Sequence, residues 1–284
     1  SKNQPFTIIP VLNPNIVSNF VTCQIASDSP TLTLPPNLSL GSGNCVISGT
    51  PTGVSAPQTF KIQATNSFGS SPGAWVSFQI NDVPSLSYTP NTVTGSVGTP
   101  LSLTANLITN GASVTQCTST PPLPTGLQIH PVTCNITGAP SAVSGSTAYS
   151  ISATNSSGSS LAASLTLTIN AGIPTLKYPA TPQYVDRLVN INFSSVPELR
   201  DNGSAVTQCQ TRAGTLNLPG SMVISPTTCL ITGSSPDKSL PIPYTLIAIN
   251  GVGTSADSPV TIGVRGPPDL AYPPQVNSGI LGVP

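Results

Sequence analysis

Apolar and polar residues alternate with a period of two along most of this chain, and the alternating runs return in the same order three times. The order is easiest to follow between residues 84 and 170. Leu86 and Tyr88 alternate in a short opening strand, and Val93 and Val97 continue it beyond Pro90. Proline has no backbone N–H to give to a ladder, so Pro90 suits a sheet edge or a switch between sheets. Leu101, Leu103 and Ala105 alternate next, and Val114 precedes Cys117. A proline-bounded turn, PLPTGLQI (122–129), sets Leu127 and Ile129 on one face. TCNITGAP (133–140) carries Cys134, Ile136 and a turn at Gly138. Tyr149, Ile151 and Ala153 lead into the turn ATNSSGSS (153–160), and Ala163, Leu165, Leu167 and Ile169 close the run. Alternation of this kind gives each strand one buried and one wetted face, and turn signals about every ten residues predict an antiparallel sandwich. No stretch carries a 3.6-residue period, so almost no helix is expected.

The flanking segments repeat this order. The turn recurs as ATNSFGSS (64–71) and AINGVGTS (248–255), and the glycine turn as ISGTP (47–51) and ITGSSP (231–236). The strands before the first of these turns carry Phe60, Ile62, Ala64 and Tyr244, Leu246, Ala248; the closing strands carry Val76, Phe78, Ile80 and Val260, Ile262, Val264. Cys23, Cys117 and Cys209, like Asn66, Asn155 and Asn250, recur at intervals of roughly 90 residues. That period is too long for a solenoid and suits independent sandwiches, each able to bury a modest core. The predicted modules are 1–82, lacking its first strand, then 83–171 and 172–266, both complete, with a separate strand at 267–284. The linkers Asn81–Val83, Ala171–Ile173 and Arg265–Pro267 are short and marked by proline, which favours an extended rod.

One segment stands out of frame. Residues 268–284, PDLAYPPQVNSGILGVP, match the openings PSLSYTPNTVTGSVGTP (84–100) and PTLKYPATPQYVDRL (174–188), whereas the first module has no such opening. Leu270, Tyr272, Val276, Ile280, Leu281 and Val283 are apolar enough to fill a groove. Unpaired, they would form an exposed apolar edge. A module without its first strand offers the complementary defect, and strand addition from another copy would mend both. Burying four to six such side chains gives on the order of 10 kcal/mol gross, reduced by ordering and association costs. The contact would be heterologous and would propagate a filament. The same frame also fits a piece of a longer array, in which 268–284 opens a fourth module.

Composition narrows the class. Formal net charge is zero and 6% of residues are charged, which excludes the clustered Lys and Arg of a nucleic-acid or polybasic membrane surface. Disordered chains usually carry high net charge and few β-branched residues, unlike the Val, Ile and Thr runs here. The six cysteines fall in matching places, as Cys23 and Cys45, Cys117 and Cys134, and Cys209 and Cys229. Two per module predict one disulfide each and an oxidising compartment. Each would close a loop of about 17 to 22 residues, worth about 3 kcal/mol in the chain-entropy view. That spacing is short for the inter-sheet bond of antibody domains, and a bond between neighbouring strands or from strand to loop is expected. No apolar run of 18 or more residues is present, so no membrane insertion is expected. Sequons at Asn37, Asn135, Asn155, Asn192 and Asn202 matter only in a glycosylating host.

The order of a Tyr-bearing strand, LP-x-GL, I-x-G-x-P, an aromatic strand ending in A-x-N-x-x-G and an alternating last strand resembles the bacterial immunoglobulin-like repeat family. That family is related to cadherin-like modules and occurs in tandem on surface proteins. The resemblance covers essentially the whole chain, although the third module has NLPGSMVI (217–224) in place of LP-x-GL, and the cysteine pair departs from the family pattern. It implies seven-stranded sandwiches with adhesive or stalk roles and brings no catalytic residues.

Enzyme chemistry finds no foothold. The single histidine, His130, sits in a QIHPVT turn with no acid or nucleophile to join it. Asn81–Asp82 at a linker and Asp201–Asn202 in the third module offer too few oxygens for calcium. The cysteines lack the histidines and close pairs of a zinc site. Trp75 is out of phase with Val76 and Phe78, so it either faces outward as an anchor or packs under a loop. The expectation is therefore an all-β, extracellular or cell-surface chain of three tandem immunoglobulin-like antiparallel sandwiches, not an enzyme, with no cofactor or metal and no nucleic-acid partner. It is expected to polymerise with copies of itself. The alternative is a segment of a longer adhesin or stalk that binds a surface glycan or protein.

Overall fold

The computed structural model of this protein describes residues 1–11, 22–186, 193–235 and 239–266. Among the described residues every regular element is a β-strand. The chain divides into two compact units, Ser1–Asn170 and Ala171–Pro284.

The first unit holds two sandwiches. The first is built from β1 (Phe6–Ile8), β2 (Thr22–Ile25), β3 (Leu38–Leu40), β4 (Ile47–Gly49), β5 (Ser55–Asn66), β6 (Gly69–Ser70) and β7 (Ala74–Ile80). The second opens with β8 (Ser85–Tyr88), β9 (Thr92–Ser96), β10 (Leu101–Leu103) and β11 (Ala105–Ile108). It continues through β12 (Gln116–Thr120), β13 (Leu127–Ile129), β14 (Ile136–Gly138), β15 (Ser144–Asn155), β16 (Gly158–Ser159) and β17 (Ala163–Asn170). The second unit carries β18 (Thr175–Lys177), β19 (Gln183–Asp186), β20 (Phe193–Ser195), β21 (Glu198–Arg200), β22 (Val206–Thr211), β23 (Val223–Ile224), β24 (Ile231–Gly233), β25 (Ser239–Asn250) and β26 (Ser258–Arg265).

The second sandwich shows the plan. One sheet runs β12-β15-β17-β9, with β16 folded back on β15; facing it are β10-β14-β13 and the pair β11-β8. Leu165 and Leu167 on β17 are wholly buried, as are Ile151 and Ala153 on β15 and Ile136 on β14, whereas their sequence neighbours face water or the sheet margin. The two-residue alternation thus becomes a core between two layers. Around Pro90 the opening segment changes sheets: β8 pairs antiparallel with β11, and β9 pairs parallel with β17, Leu167 standing opposite Val93. This parallel ladder departs from the all-antiparallel expectation. The cause is topological, because the opening segment crosses to the other layer while keeping its chain direction. The second unit repeats both features, with β18 antiparallel to β21 and β19 parallel to β26. There Met222 fills the place that Leu127 holds in the second sandwich, so NLPGSMVI keeps an apolar plug despite its altered motif.

The recurrent I-x-G-x-P glycine has a steric reason. Gly138 has φ +135°, and a Cβ built on it would lie 2.0 Å from the Gly126 carbonyl oxygen. Gly49 repeats this, 2.0 Å from the Asn37 carbonyl oxygen. Only glycine allows the two backbones to approach so closely.

All six cysteines are paired, with Cα–Cα distances of 5.2, 5.4 and 5.2 Å in chain order. Each bond runs from a strand of one layer (Cys117 on β12) to the turn before a strand of the other (Cys134, ahead of β14).

Candidate strand-acceptor site

What the opening strand does in a complete sandwich defines what its absence leaves. In the second sandwich β8 buries Tyr88 among Leu127, Ile136, Tyr149, Ile151, Leu165 and Leu167. The Tyr88 hydroxyl donates to the Cys134 carbonyl at 2.5 Å. In the second unit the Tyr178 hydroxyl donates to the Cys229 carbonyl in the same way. Burial raises the Tyr88 phenol to about 12 and pushes Tyr178 up as well, since an ionised phenol loses its hydration there. The acceptor carbonyls are aimed by an unusual backbone. Cys134 and Cys229 adopt positive φ, 56° and 53°, and their amides close turns onto His130 and Ser225 at 3.0 Å each.

A second contact holds the linker. Asn155 is buried at the end of β15, and its Oδ1 accepts from the Ser157 amide at 2.8 Å, which fixes the side chain. Its Nδ2 donates to the carbonyls of Asp82 at 2.8 Å, Thr109 at 3.0 Å and Ala112 at 3.4 Å. Asn250 repeats the arrangement with the carbonyls of Gly172, Asp201 and Ser204. Each asparagine therefore ties the carbonyl two residues before the opening proline, Pro84 or Pro174, to its own sandwich. Sequence reasoning found these asparagines only as part of a turn. Their recurrence within A-x-N-x-x-G was the available signal. The Asn155 sequon is not a free surface site, because its amide is consumed by these bonds.

Among the described residues the first sandwich has no strand that corresponds to β8 or β9. The register of Phe6 opposite Gly49 matches that of Leu101 opposite Gly138, so β1 takes the place of β10. Lys2 donates its amide to the Asn81 carbonyl, and Asn3 donates to Pro51, as Val97 does to Asn170 and Gly98 to Pro140. Chain position 1 therefore corresponds to Ser96, the last residue of β9. Among the described residues no strand lies on the free edge of β7. The core beneath that place is correspondingly open. Ile62, Val76 and Phe78 are only half-buried and Ala74 is exposed, whereas the matching Ile151, Leu165, Leu167 and Ala163 are buried. Phe60, Ile47 and Ile80 are buried in its core, and Phe78 lies 5.0 Å from Phe6 and 5.1 Å from Phe60, centroid to centroid.

Both polar acceptor features are nonetheless in place. Cys45 has φ 56°, and its amide closes a turn onto Gly41 at 2.9 Å. The Asn66 Oδ1 accepts from the Phe68 amide at 2.9 Å. Among the described residues nothing donates to the Cys45 carbonyl, and the Asn66 Nδ2 has no acceptor.

The other sequence candidates fall elsewhere. Leu270, Tyr272, Val276, Ile280, Leu281 and Val283 lie outside the described residues, as does Asn192. Trp75 faces outward on β7 with the Lys61 ammonium 5.6 Å from its ring centroid. The His130 Nδ1 accepts from the Val132 and Thr133 amides, so it serves its own turn. Asp82 pairs with Lys2 at 3.1 Å. Partial burial would raise its carboxyl, but the Lys2 hydrogen bond, the Val83 amide and the nearby positive charges outweigh that and hold it below the usual range. Among the described residues no three His, Cys, Asp or Glu side chains gather as a metal would require, and no helix is long and apolar enough to cross a membrane.

The profile of the family described as "Putative Ig domain" matches residues 1–81 and 83–170. The chain belongs to this family. No curated protein matches it. Among solved structures it is similar to the N-terminal eight Ig domains of Down Syndrome Cell Adhesion Molecule isoform 1.30.30, with 13% identity and a TM-score of 0.46, over 93% of this chain and 34% of that one. It is also similar to an I-band fragment from titin, with 13% identity and a TM-score of 0.40, over 93% and 94% of the two chains. A third likeness is to Drosophila N-cadherin EC1-4, with 11% identity and a TM-score of 0.29, over 89% and 69%. The chain spans about a third of the length of the first of these.

Proposed function

We propose that this protein is an extracellular structural subunit, without enzymatic activity, that joins to further copies when the segment beginning at Pro268 enters the first sandwich of a neighbour. The observation that carries this reading is the open face of the first sandwich, where Phe78, Val76 and Ile62 are half-exposed at positions buried in its sibling. The segment has the required chemistry. Aligned without a gap, Pro268, Leu270, Tyr272, Pro274 and Gly279 take the places of Pro84, Leu86, Tyr88, Pro90 and Gly95. The correspondence of Ser1 with Ser96 narrows the insertable stretch to Pro268–Gly279. Ile280, Leu281 and Val283 align with Ser1, Lys2 and Gln4, whose places along the sandwich are already taken. A neighbouring copy is the favoured source because only Gly266 and Pro267 separate Arg265 from the motif. Two residues reach about 7 Å, so a chain could serve itself only by closing its modules into a ring. The disulfides support an oxidising, extracellular setting.

The test is light scattering coupled to size exclusion on chain 1–284 and on chain 1–266. The longer chain should form concentration-dependent oligomers, and the shorter should be monomeric and should bind a synthetic peptide of residues 267–284. A longer chain that stays monomeric up to high concentration, with its segment closed on itself or solvated, would overturn the polymer reading. That outcome favours an adhesin stalk segment.

A further inference from the structure

We infer that two pre-aimed polar groups of the first sandwich, the Cys45 carbonyl and the Asn66 side-chain amide, set the register of the incoming strand by selecting Tyr272 and the Gly266 carbonyl. The inference rests on the proposed strand exchange and goes further, because apolar burial alone does not fix a register. A slip by two residues would return an alternating strand to the same face with most of its apolar contacts remade.

The two complete sandwiches show how the choice is made. In both, the opening tyrosine reaches the carbonyl of a positive-φ cysteine, and the turn asparagine holds the carbonyl two residues before the opening proline. These points bracket the strand at both ends. Tyr272 matches Tyr88 and Tyr178, and Gly266 stands two residues before Pro268 as Asp82 stands before Pro84 and Gly172 before Pro174. The acceptor side needs no rearrangement. Cys45 shares the φ of Cys134, and Asn66 is held by the same amide-to-Oδ1 bond as Asn155. Its rotamer is thus fixed before any partner arrives, so little order is lost on binding. Both groups become buried once the strand covers them, and a buried polar group without a partner is costly. A strand in the wrong register leaves the Cys45 carbonyl without the tyrosine hydroxyl and the Asn66 amide without the linker carbonyl, and is rejected. The partner selected is therefore a P-x-L-x-Y segment preceded by a residue with a free backbone carbonyl, which a second copy of this chain supplies.

The test replaces Tyr272 in the full chain with the photoreactive p-benzoylphenylalanine and locates the crosslink by mass spectrometry. The expected crosslink joins position 272 of one copy to the segment around Cys45 of another. Tyr272→Phe and Asn66→Ala should each weaken association about tenfold while leaving the apolar contact. Asn155→Ala destabilises the second sandwich and should leave association unchanged. Oligomers that form with crosslinks elsewhere, or with affinity unaffected by Tyr272→Phe and Asn66→Ala, would overturn the register inference while sparing strand exchange. Absence of oligomers in the unaltered chain removes both.

Discussion

A hydroxyl on an opening strand has two consequences in this protein. It completes the Cys134 turn, and it places an ionisable group in the core. The Tyr88 phenol is raised above its ordinary value of 10 to about 12 by burial, so the folded state favours the neutral form. The resulting stabilisation is fully present below about pH 10 and is lost as pH climbs through the folded value, because the unfolded chain ionises first. Guanidinium midpoints near pH 9 and pH 11 are therefore expected to differ more for the unaltered chain than for Tyr88→Phe; equal differences would show that Tyr88 has no part in alkaline sensitivity. The cysteines and the tyrosines were legible in the sequence as separate repeats. Their hydrogen bond was not, because it depends on a positive φ at cysteine that no composition rule announces.

At the scale of elements, β7 and β17 have the same alternation and different surroundings. Phe78 and Val76 repeat the phase of Leu167 and Leu165, yet β17 is covered on its far edge by β9 and β7 is not among the described residues. A ladder with one flank open exchanges its amides by local fraying, whereas an interior strand must open more of the sheet. Hydrogen exchange on chain 1–266 should therefore find Ser77 and Gln79 exchanging orders of magnitude faster than Thr166 and Thr168. Comparable protection would mean that β7 already has a partner. Strand identity could be read from the two-residue period alone. The change of sheet around Pro90 and the parallel pairing of β9 could only be anticipated as a possibility, since the period of a strand says which face is apolar and not which neighbour it meets.

At the scale of the molecule, cores that are modest in size are bolted by one disulfide each. The bonds span separations of 22, 17 and 20 residues and tie the two layers of a sandwich together. Loops of this length stabilise by about 3 kcal/mol through restriction of the unfolded chain. The loss should bear hardest on the first sandwich, whose core is open. Reduction under mild denaturant is expected to expose the first sandwich to protease before the second, with cuts mapping between residues 22 and 80. Simultaneous cleavage of both would show that the open face costs little. With 6% of residues charged, the association proposed above should respond weakly to salt.

The sequence by itself determined the strand content, the threefold repeat, the cysteine pairs and the immunoglobulin-like class, because each follows from local alternation, turn chemistry and spacing. Only the tertiary structure decided which residues the opening strand shields and how far the first sandwich is left open. It also decided that Cys45 and Asn66 keep the geometry of their bonded counterparts. The physical reason is that burial and hydrogen-bond direction belong to pairs of segments brought together by the fold, and a repeat read along one chain carries no record of which partner a given face finds.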